Sequence, residues 1–435
     1  MCINRIGVGI LGCGFIARAH LRGYLQFPTE AHIVALCSRS GSSITSTLDF
    51  IRSHAVEQAA KLEDAITQGR PPERLAEMKE QRAALLDTAQ QEIRVYTSWE
   101  ELAADPGVTL VSNTTPPFVH HPSTLGSLRA GKHVLLEKPF VGSLRHADAL
   151  IAEAKARGLC LSVVSQGRFA DDQRRMRELV RQDKLGDVFL LKVDTHWYRN
   201  NDYYQVGWRG NWANECGGVL LNHAWHLLDQ GLFIFDKPVK RVMAQMGAFV
   251  HTPLREKMVG GVPTDDTLVA LLTFADGSLG EVTGSVTLHI QRAQIEVFGT
   301  RGAVLMNPWG LDSQNTAYGA ELRCWAETCI EPTPADWIPE AAARDSFDGV
   351  RQYRDPTWTH TTQVRDVLDA IAVGRQPASS GAEARATLEV VLAAYKSAIT
   401  SQAVELPLPP DDPYYNGVLA ALDPTANPIE EVKDA

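Results

Sequence analysis

Six residues near the start, Gly12-Cys13-Gly14-Phe15-Ile16-Ala17, restrict what this chain can fold into more than any other feature. They follow a β-rich run at 5–11 and open a helical pattern at 15–25. In a strand–turn–helix, Gly12 permits the tight turn, Gly14 lets the backbone approach a pyrophosphate, and Ala17 lets the helix sit close to the sheet. Free N–H groups at the helix N-terminus, reinforced by the helix dipole, then favour an anion. Gly12, Gly14, Phe15 and Ile16 are therefore expected around a dinucleotide.

The second strand, at 32–37, ends in Cys37-Ser38-Arg39-Ser40. A carboxylate at this place would accept from both ribose hydroxyls of NAD. None is present, and Arg39 can pair with a 2′-phosphate, so Ser38 and Arg39 lean the cofactor toward NADP. Further strands are read at 108–114, 133–137 and 160–165, alternating with helical patterns. That rhythm implies a parallel sheet wrapped by helices. The charged stretch 42–92, with Pro71-Pro72 in its middle, reads as two helices inserted between the second and third strands.

From about residue 187 the rhythm changes. Strand patterns at 188–196, 239–249, 267–274, 280–287 and 293–298 have less helix between them, as in an α+β domain with a mostly antiparallel sheet. Helices follow at 361–373 and 382–400, then a Pro-rich tail at 406–413 that reads as extended on the surface. The expected domains are a Rossmann unit at 1–165, an α+β unit at 166–405 and an extended tail at 406–435.

The bulk properties exclude several functions. The net charge is −10, from 42 basic and 52 acidic side chains, and no dense Lys/Arg cluster stands out. Neither nucleic acid nor an anionic membrane is an expected partner. No apolar run of about 18 residues is present, and the first residues lack a basic n-region, so a cytoplasmic location is expected. The seven cysteines form no C-x-x-C pair. Cys324 and Cys329 lie close enough in sequence to pair, but reduced thiols fit this composition better.

Two further motifs carry chemistry. Thr115-Pro116-Pro117-Phe118-Val119-His120 follows the strand at 108–114, and Glu137-Lys138-Pro139 ends the strand at 133–137. Ligands of open parallel sheets bind beyond the carboxyl ends of the strands. Thr115, Pro116, His120, Glu137 and Lys138 are therefore expected at the cofactor, with Pro139 biasing Lys138 toward extended backbone. The second motif runs from Gly217-Gly218 to Asp229. On an α-helix Asn222, His226 and Asp229 stand at i, i+4 and i+7, one polar face, with His223 off it. His223 and His226 have H-x-x-H spacing but no evident third ligand, so no metal is expected. The aromatic and Arg-rich stretch 196–212 offers Tyr198, Trp208 and Arg209 as sugar contacts.

In order and spacing these motifs resemble the glucose–fructose oxidoreductase / inositol dehydrogenase / MocA family, over most of the chain outside 42–92. The resemblance implies a Rossmann domain followed by a C-terminal domain with a large open sheet, often used for homo-oligomer contacts in dimers or tetramers. It implies an NAD(P)-dependent oxidoreductase acting on a sugar, sugar derivative or cyclic polyol. It implies catalytic roles for Lys138 and His226. Many members carry Asp four residues before this histidine; Asn222 stands there in this chain and is expected to position substrate or imidazole. Lys138, Asn222 and His226 would then contact substrate together with Tyr198, Trp208 and Arg209. The resemblance leaves two other readings open: glycoside cleavage through a transient keto-sugar with NAD regenerated, and a non-catalytic nucleotide/sugar sensor.

Overall fold

The computed structural model describes residues 5–69, 72–290, 292–307, 310–311, 317–318, 321–326 and 360–426. Its first layer is a six-stranded parallel sheet made of β1 (Ile6–Leu11), β2 (Ala31–Cys37), β3 (Arg94–Tyr96), β4 (Leu110–Asn113), β5 (His133–Leu136) and β6 (Leu161–Val163). The order β3-β2-β1-β4-β5-β6 places the topological switch between β1 and β4. The glycine loop and residue 114 meet there, where open α/β sheets bind their ligands. The central strands are buried along nearly their whole length because helices cover both faces, although β4 carries Ser112 and Asn113.

The 42–92 stretch forms two helices, Gly41–Thr67 and Leu75–Gln90, between β2 and β3. They pack as a pair, with Leu25, Ala55, Ala59 and Leu85 in one apolar cluster. β3 is only three residues long and largely exposed, which is why no hydrophobic period announced it.

The second sheet has eight strands, in the order Glu321–Ala326, Gly302–Asn307, Arg292–Gly299, Val188–His196, Leu279–Ser285, Thr267–Phe274, Val239–Gly247 and Val404–Glu405. One neighbouring pair, Val188–His196 with Leu279–Ser285, is parallel; the others are antiparallel. Strand alternation buries Leu191, Val242, Leu268, Leu272 and Val282 under the helices Trp225–Phe235 and Gly381–Thr400. The buried Arg168 guanidinium grips Asp229 with two bonds of 2.7 and 2.6 Å and also reaches Glu383 at 2.7 Å. A paired, bidentate geometry is what makes such burial tolerable.

Helix Thr361–Val373 departs from the expected boundary. Val364, Val367 and Leu368 join the core of the first sheet with Val8, Ile10 and Leu21. Arg365 bonds Glu30 at 2.5 and 2.7 Å. The tail also differs from an extended surface strand. Residues Pro413–Asn416 form a helical turn and Val418–Leu422 a short helix, which bring Asn416 to Leu419 to the wall of the main cleft. Cys329, one half of the suggested pair, lies outside the described residues. Among them, Cys13, Cys37, Cys160 and Cys216 are free thiols.

Candidate active site

A cleft of about 1630 Å³ runs from the glycine loop to the first turns of the His226 helix. Pockets for one small ligand are usually about 300–1,000 Å³, so this one has room for a dinucleotide and a second molecule. At one end Gly12 has φ +93°, and a Cβ there would lie 2.8 Å from the Thr114 carbonyl oxygen. A Cβ on Gly14 would instead meet no atom within 4 Å, leaving an open cradle beside the backbone. The carbonyls of Gly14, Phe15 and Ile16 already serve the first helical turn, Ala17–Tyr24. These residues fit a pyrophosphate, and Phe15, 91 % exposed, stands at the mouth.

At the end of β2, Ser38, Arg39, Ser40 and Ser43 line the same cleft. Ser40 caps the long helix that begins at Gly41, its side chain accepting from the Ser43 N–H at 3.3 Å. A cation, hydroxyls and a helix N-terminus thus meet where the adenosine ribose would lie.

Thr115 and Pro116 line the cleft, but His120 does not. Its imidazole is fully buried, its nitrogens 2.8 Å from the Pro139 carbonyl and 2.9 Å from that of Thr115. The position one turn into helix Pro117–Arg129 points it under the loop, so it clamps that loop to the strand end behind Lys138 rather than meeting a cofactor.

Glu137 lines the cleft with only 5 % of its surface exposed, and serves as a hub. Its carboxylate accepts from His20 Nε2 at 3.0 Å and from the Lys138 N–H at 3.0 Å, and it lies 3.4 Å from His360 Nε2. Burial alone would raise this carboxyl; the bonds to His20 and His360 outweigh it and hold the group well below the usual carboxylate range. The ligand atoms of His20, Glu137 and His360 lie within 4.8 Å of one another. Hydrogen bonding and ion pairing account for that spacing: His20 Nδ1 is itself engaged by the Ser112 hydroxyl at 2.7 Å. Three distant segments thereby fix the backbone that carries Lys138.

The Lys138 ammonium is half-buried and donates to the Asn222 backbone carbonyl at 3.0 Å. Burial lowers its pKa, and Glu137 opposes the shift. Asn222 sits in a π-helical turn, Leu220–Ala224, which precedes the α-helix Trp225–Phe235. A Cβ on Gly218 would come within 2.2 Å of the Asp265 carbonyl, so the glycine is required for this turn to dock. The Asp265 carboxylate and the Tyr395 hydroxyl accept the N–H groups of Leu220 and Leu221.

This local structure corrects three expectations. The π turn breaks the i, i+4, i+7 register, and Asp229 points away from the cleft into its ion pair with Arg168. The Asn222 amide donates to the carbonyls of Gly217 (3.0 Å) and Gly218 (3.3 Å), so it ties the turn together, although the residue still lines the cleft. His223 lines the cleft beside His226. The two imidazoles therefore share the cleft wall rather than dividing between two faces. Burial, then the neighbouring Lys138, pushes the His226 imidazole well below its ordinary value. His223 is pushed the same way by burial and by Arg199, Lys138 and Arg209.

In the aromatic loop, Trp208 and Arg209 line the cleft but Tyr198 does not; its ring packs at a tilt against His289, centroids 4.7 Å apart. Continuation of the strand's alternation past His196 turns Trp197 and Arg199 inward and Tyr198 outward. Trp197, Arg199 and Tyr203 thus stand where Tyr198 was expected.

Residues 72–165 match the Rossmann-fold, NAD-binding part of the GFO/IDH/MocA oxidoreductase family, and residues 173–305 match a GFO/IDH/MocA C-terminal domain. The chain belongs to the GFO/IDH/MocA family. It is therefore a member of a family of NAD(P)-dependent sugar and polyol oxidoreductases. A Schizosaccharomyces pombe oxidoreductase is 34% identical over 149 residues, which are 34% of this chain and 39% of that protein. The 1,5-anhydro-D-fructose reductase of Ensifer adhaerens is 26% identical over 71% of this chain and 83% of its own length. The WlbA dehydrogenase of Bordetella pertussis, solved with NADH and UDP-GlcNAcA, superposes with a TM-score of 0.68 at 21% identity, covering 93% of this chain and 100% of that one. Among the described residues of this GFO/IDH/MocA protein, no helix is long and apolar enough to cross a membrane.

Proposed function

We propose that this family member oxidises, reversibly, a secondary alcohol of a sugar, sugar derivative or cyclic polyol, with NADP preferred over NAD. The observation that carries this reading is that Lys138 and the imidazole of His226 share one cleft with a dinucleotide-fitted glycine loop. A bound nicotinamide supplies the hydride acceptor. His226, kept neutral by its surroundings, takes the hydroxyl proton. Lys138 donates a hydrogen bond to the same oxygen and stabilises the charge that develops on it. The backbone of Asn222 holds the lysine, and Trp197, Trp208 and Tyr203 offer apolar ring faces to a sugar. The likeness in sequence to an anhydrofructose reductase supports a carbohydrate substrate. The test is a screen of sugars, polyols and glycosides for cofactor reduction, with products identified by mass spectrometry. Release of an aglycone without net reduction would replace this reading with glycoside cleavage.

Arg39, with Ser40 and Ser43 at a helix start, supports the cofactor preference. Ser38→Asp combined with Arg39→Ala should weaken NADP and favour NAD, since a carboxylate repels a 2′-phosphate and accepts from free hydroxyls. Titration of both cofactors against both proteins checks this. Equal affinities before and after the change would remove the basis for the preference.

The outer face of the second sheet carries Met243, Val269, Leu271 and Leu279, 39–59 % exposed, on three adjacent strands. A contiguous apolar face of this kind marks an interface. The proposed occupant is a second copy of the chain, which the family resemblance also supports. Light scattering should give a multiple of the monomer mass, and Leu271→Glu should shift it toward the monomer; a monomeric wild type would refute the assignment.

A further inference from the structure

Beyond the lysine, the substrate end of the cleft holds two arginines, Arg199 and Arg209. Tyr203 gathers them: the Arg209 Cζ lies 3.8 Å and the Arg199 Cζ 5.5 Å from its ring centroid. Arg209 also stacks on Trp208 at 4.3 Å. Stacking fixes a guanidinium while leaving its N–H edge available for a planar acceptor. The Arg199 guanidinium has one hydrogen bond among the described residues, to the Tyr198 carbonyl at 2.9 Å, and no carboxylate partner there.

The local carboxylates do not balance this charge. Glu137 is spent on His20, His360 and the Lys138 backbone. Glu215 faces Arg209 at 3.7 Å, but it is 2 % exposed, and burial pushes its carboxyl up to about 7, so near neutral pH it is only partly ionised. Burial lowers the pKa of both arginines, and the neighbouring Arg199 lowers that of Arg209 further. The imidazole of His223 feels Arg199, Lys138 and Arg209 at once, so the three cations converge on one region. Desolvated positive charge without a counter-ion is costly, and a ligand that brings the counter-ion removes the cost. The phosphates of the cofactor do not supply it, because their fitted cradle is at the glycine loop and Arg39, at the other end of the cleft.

We propose that the substrate carries an anionic group, a carboxylate or a phosphate, that docks against Arg199 and Arg209 while its reacting carbon lies toward Lys138 and His226. This rests on the oxidoreductase reading of the same cleft. Neutral hydroxyls can occupy the N–H donors, but only an anion neutralises the pair and takes both forks with charge-assisted bonds.

The test compares matched probes: D-glucose, D-glucuronate and D-glucose 6-phosphate, and likewise D-galactose, D-galacturonate and D-galactose 6-phosphate. Turnover is read as cofactor reduction. Binding is read separately by quenching of tryptophan fluorescence with NADPH present, since Trp197, Trp208 and Trp212 line the cleft. At least one anionic probe should exceed its neutral parent about 10- to 100-fold in kcat/KM or affinity, the usual range for charge-assisted bonds. Which anion wins distinguishes carboxylate from phosphate. That ratio should fall about tenfold in Arg199→Gln and again in Arg209→Gln, with Arg199→Lys keeping part of it. Preferential binding of an anion without any turnover would support the anion site and count against the oxidoreductase reading. If no anionic probe outbinds or outperforms its neutral parent, or if the ratio survives both glutamine variants, the proposal is overturned.

Discussion

Lys138→Ala should lower turnover by a factor of about 10² or more, because it deletes the donor that stabilises charge developing on the substrate oxygen. The structure gives the lysine no stabilising task that would confuse the result. Its ammonium makes one hydrogen bond, to the Asn222 carbonyl, and sits half-buried at a strand end rather than in a core cluster. Its backbone N–H, which does bond Glu137, survives the substitution. The variant should therefore fold and bind NADPH, with the loss in kcat rather than in cofactor affinity. Burial lowers the lysine pKa, so the wild type should also lose turnover at a pH below that of an ordinary lysine as the donor deprotonates. The alanine variant should lack that alkaline limb. A folded variant with near wild-type turnover would show that the reacting oxygen lies elsewhere.

Much of this arrangement was legible in the sequence because its signals are local. The glycine loop, the strand ends at Lys138 and Arg39, and the five longer strands of the second sheet each rest on spacing within a dozen residues. What escaped depends on contacts between distant segments or on small changes of phase. His20 and His360 meet Glu137 across sequence separations of 117 and 223, and nothing near any of the three announces the other two. Tyr198 was misassigned by one residue of strand alternation, although a strand ending at 196 already gave the phase. The alignment of Asn222 with His226 and Asp229 assumed an unbroken α-helix, and the π turn that shifts Asn222 is held by Asp265 and Tyr395, far along the chain. His120 looked like a cofactor residue because it follows a strand end; its burial, with carbonyls on both nitrogens, is a tertiary fact.

His226→Asn should lower the chemical step by about 10²–10⁴-fold, the usual range for loss of a general base. Affinity for the cofactor should hardly change, since Gly12, Gly14 and the strand ends form its side of the cleft. His223 is the demanding control, because it lines the same cleft three residues earlier. It is 6 % exposed, and its ring lies 5.4 Å from that of Tyr203, among the cations. That setting suits a residue that shapes the substrate end, so His223→Asn should cost less than His226→Asn and should act more on KM than on kcat. The pH dependence separates the two further. A base works unprotonated, and burial together with Lys138 pushes His226 well below its ordinary 6.5. Oxidation should therefore persist down to mildly acid pH and fail only as the pH drops through that lowered value. His226→Asn should abolish this acid limb, whereas His223→Asn should keep it. Single-turnover reduction of bound cofactor is the measurement to use, because steady-state rates can report cofactor release instead. A larger defect at His223, or an acid limb that moves only in that variant, would assign the base to the other imidazole of the same turn.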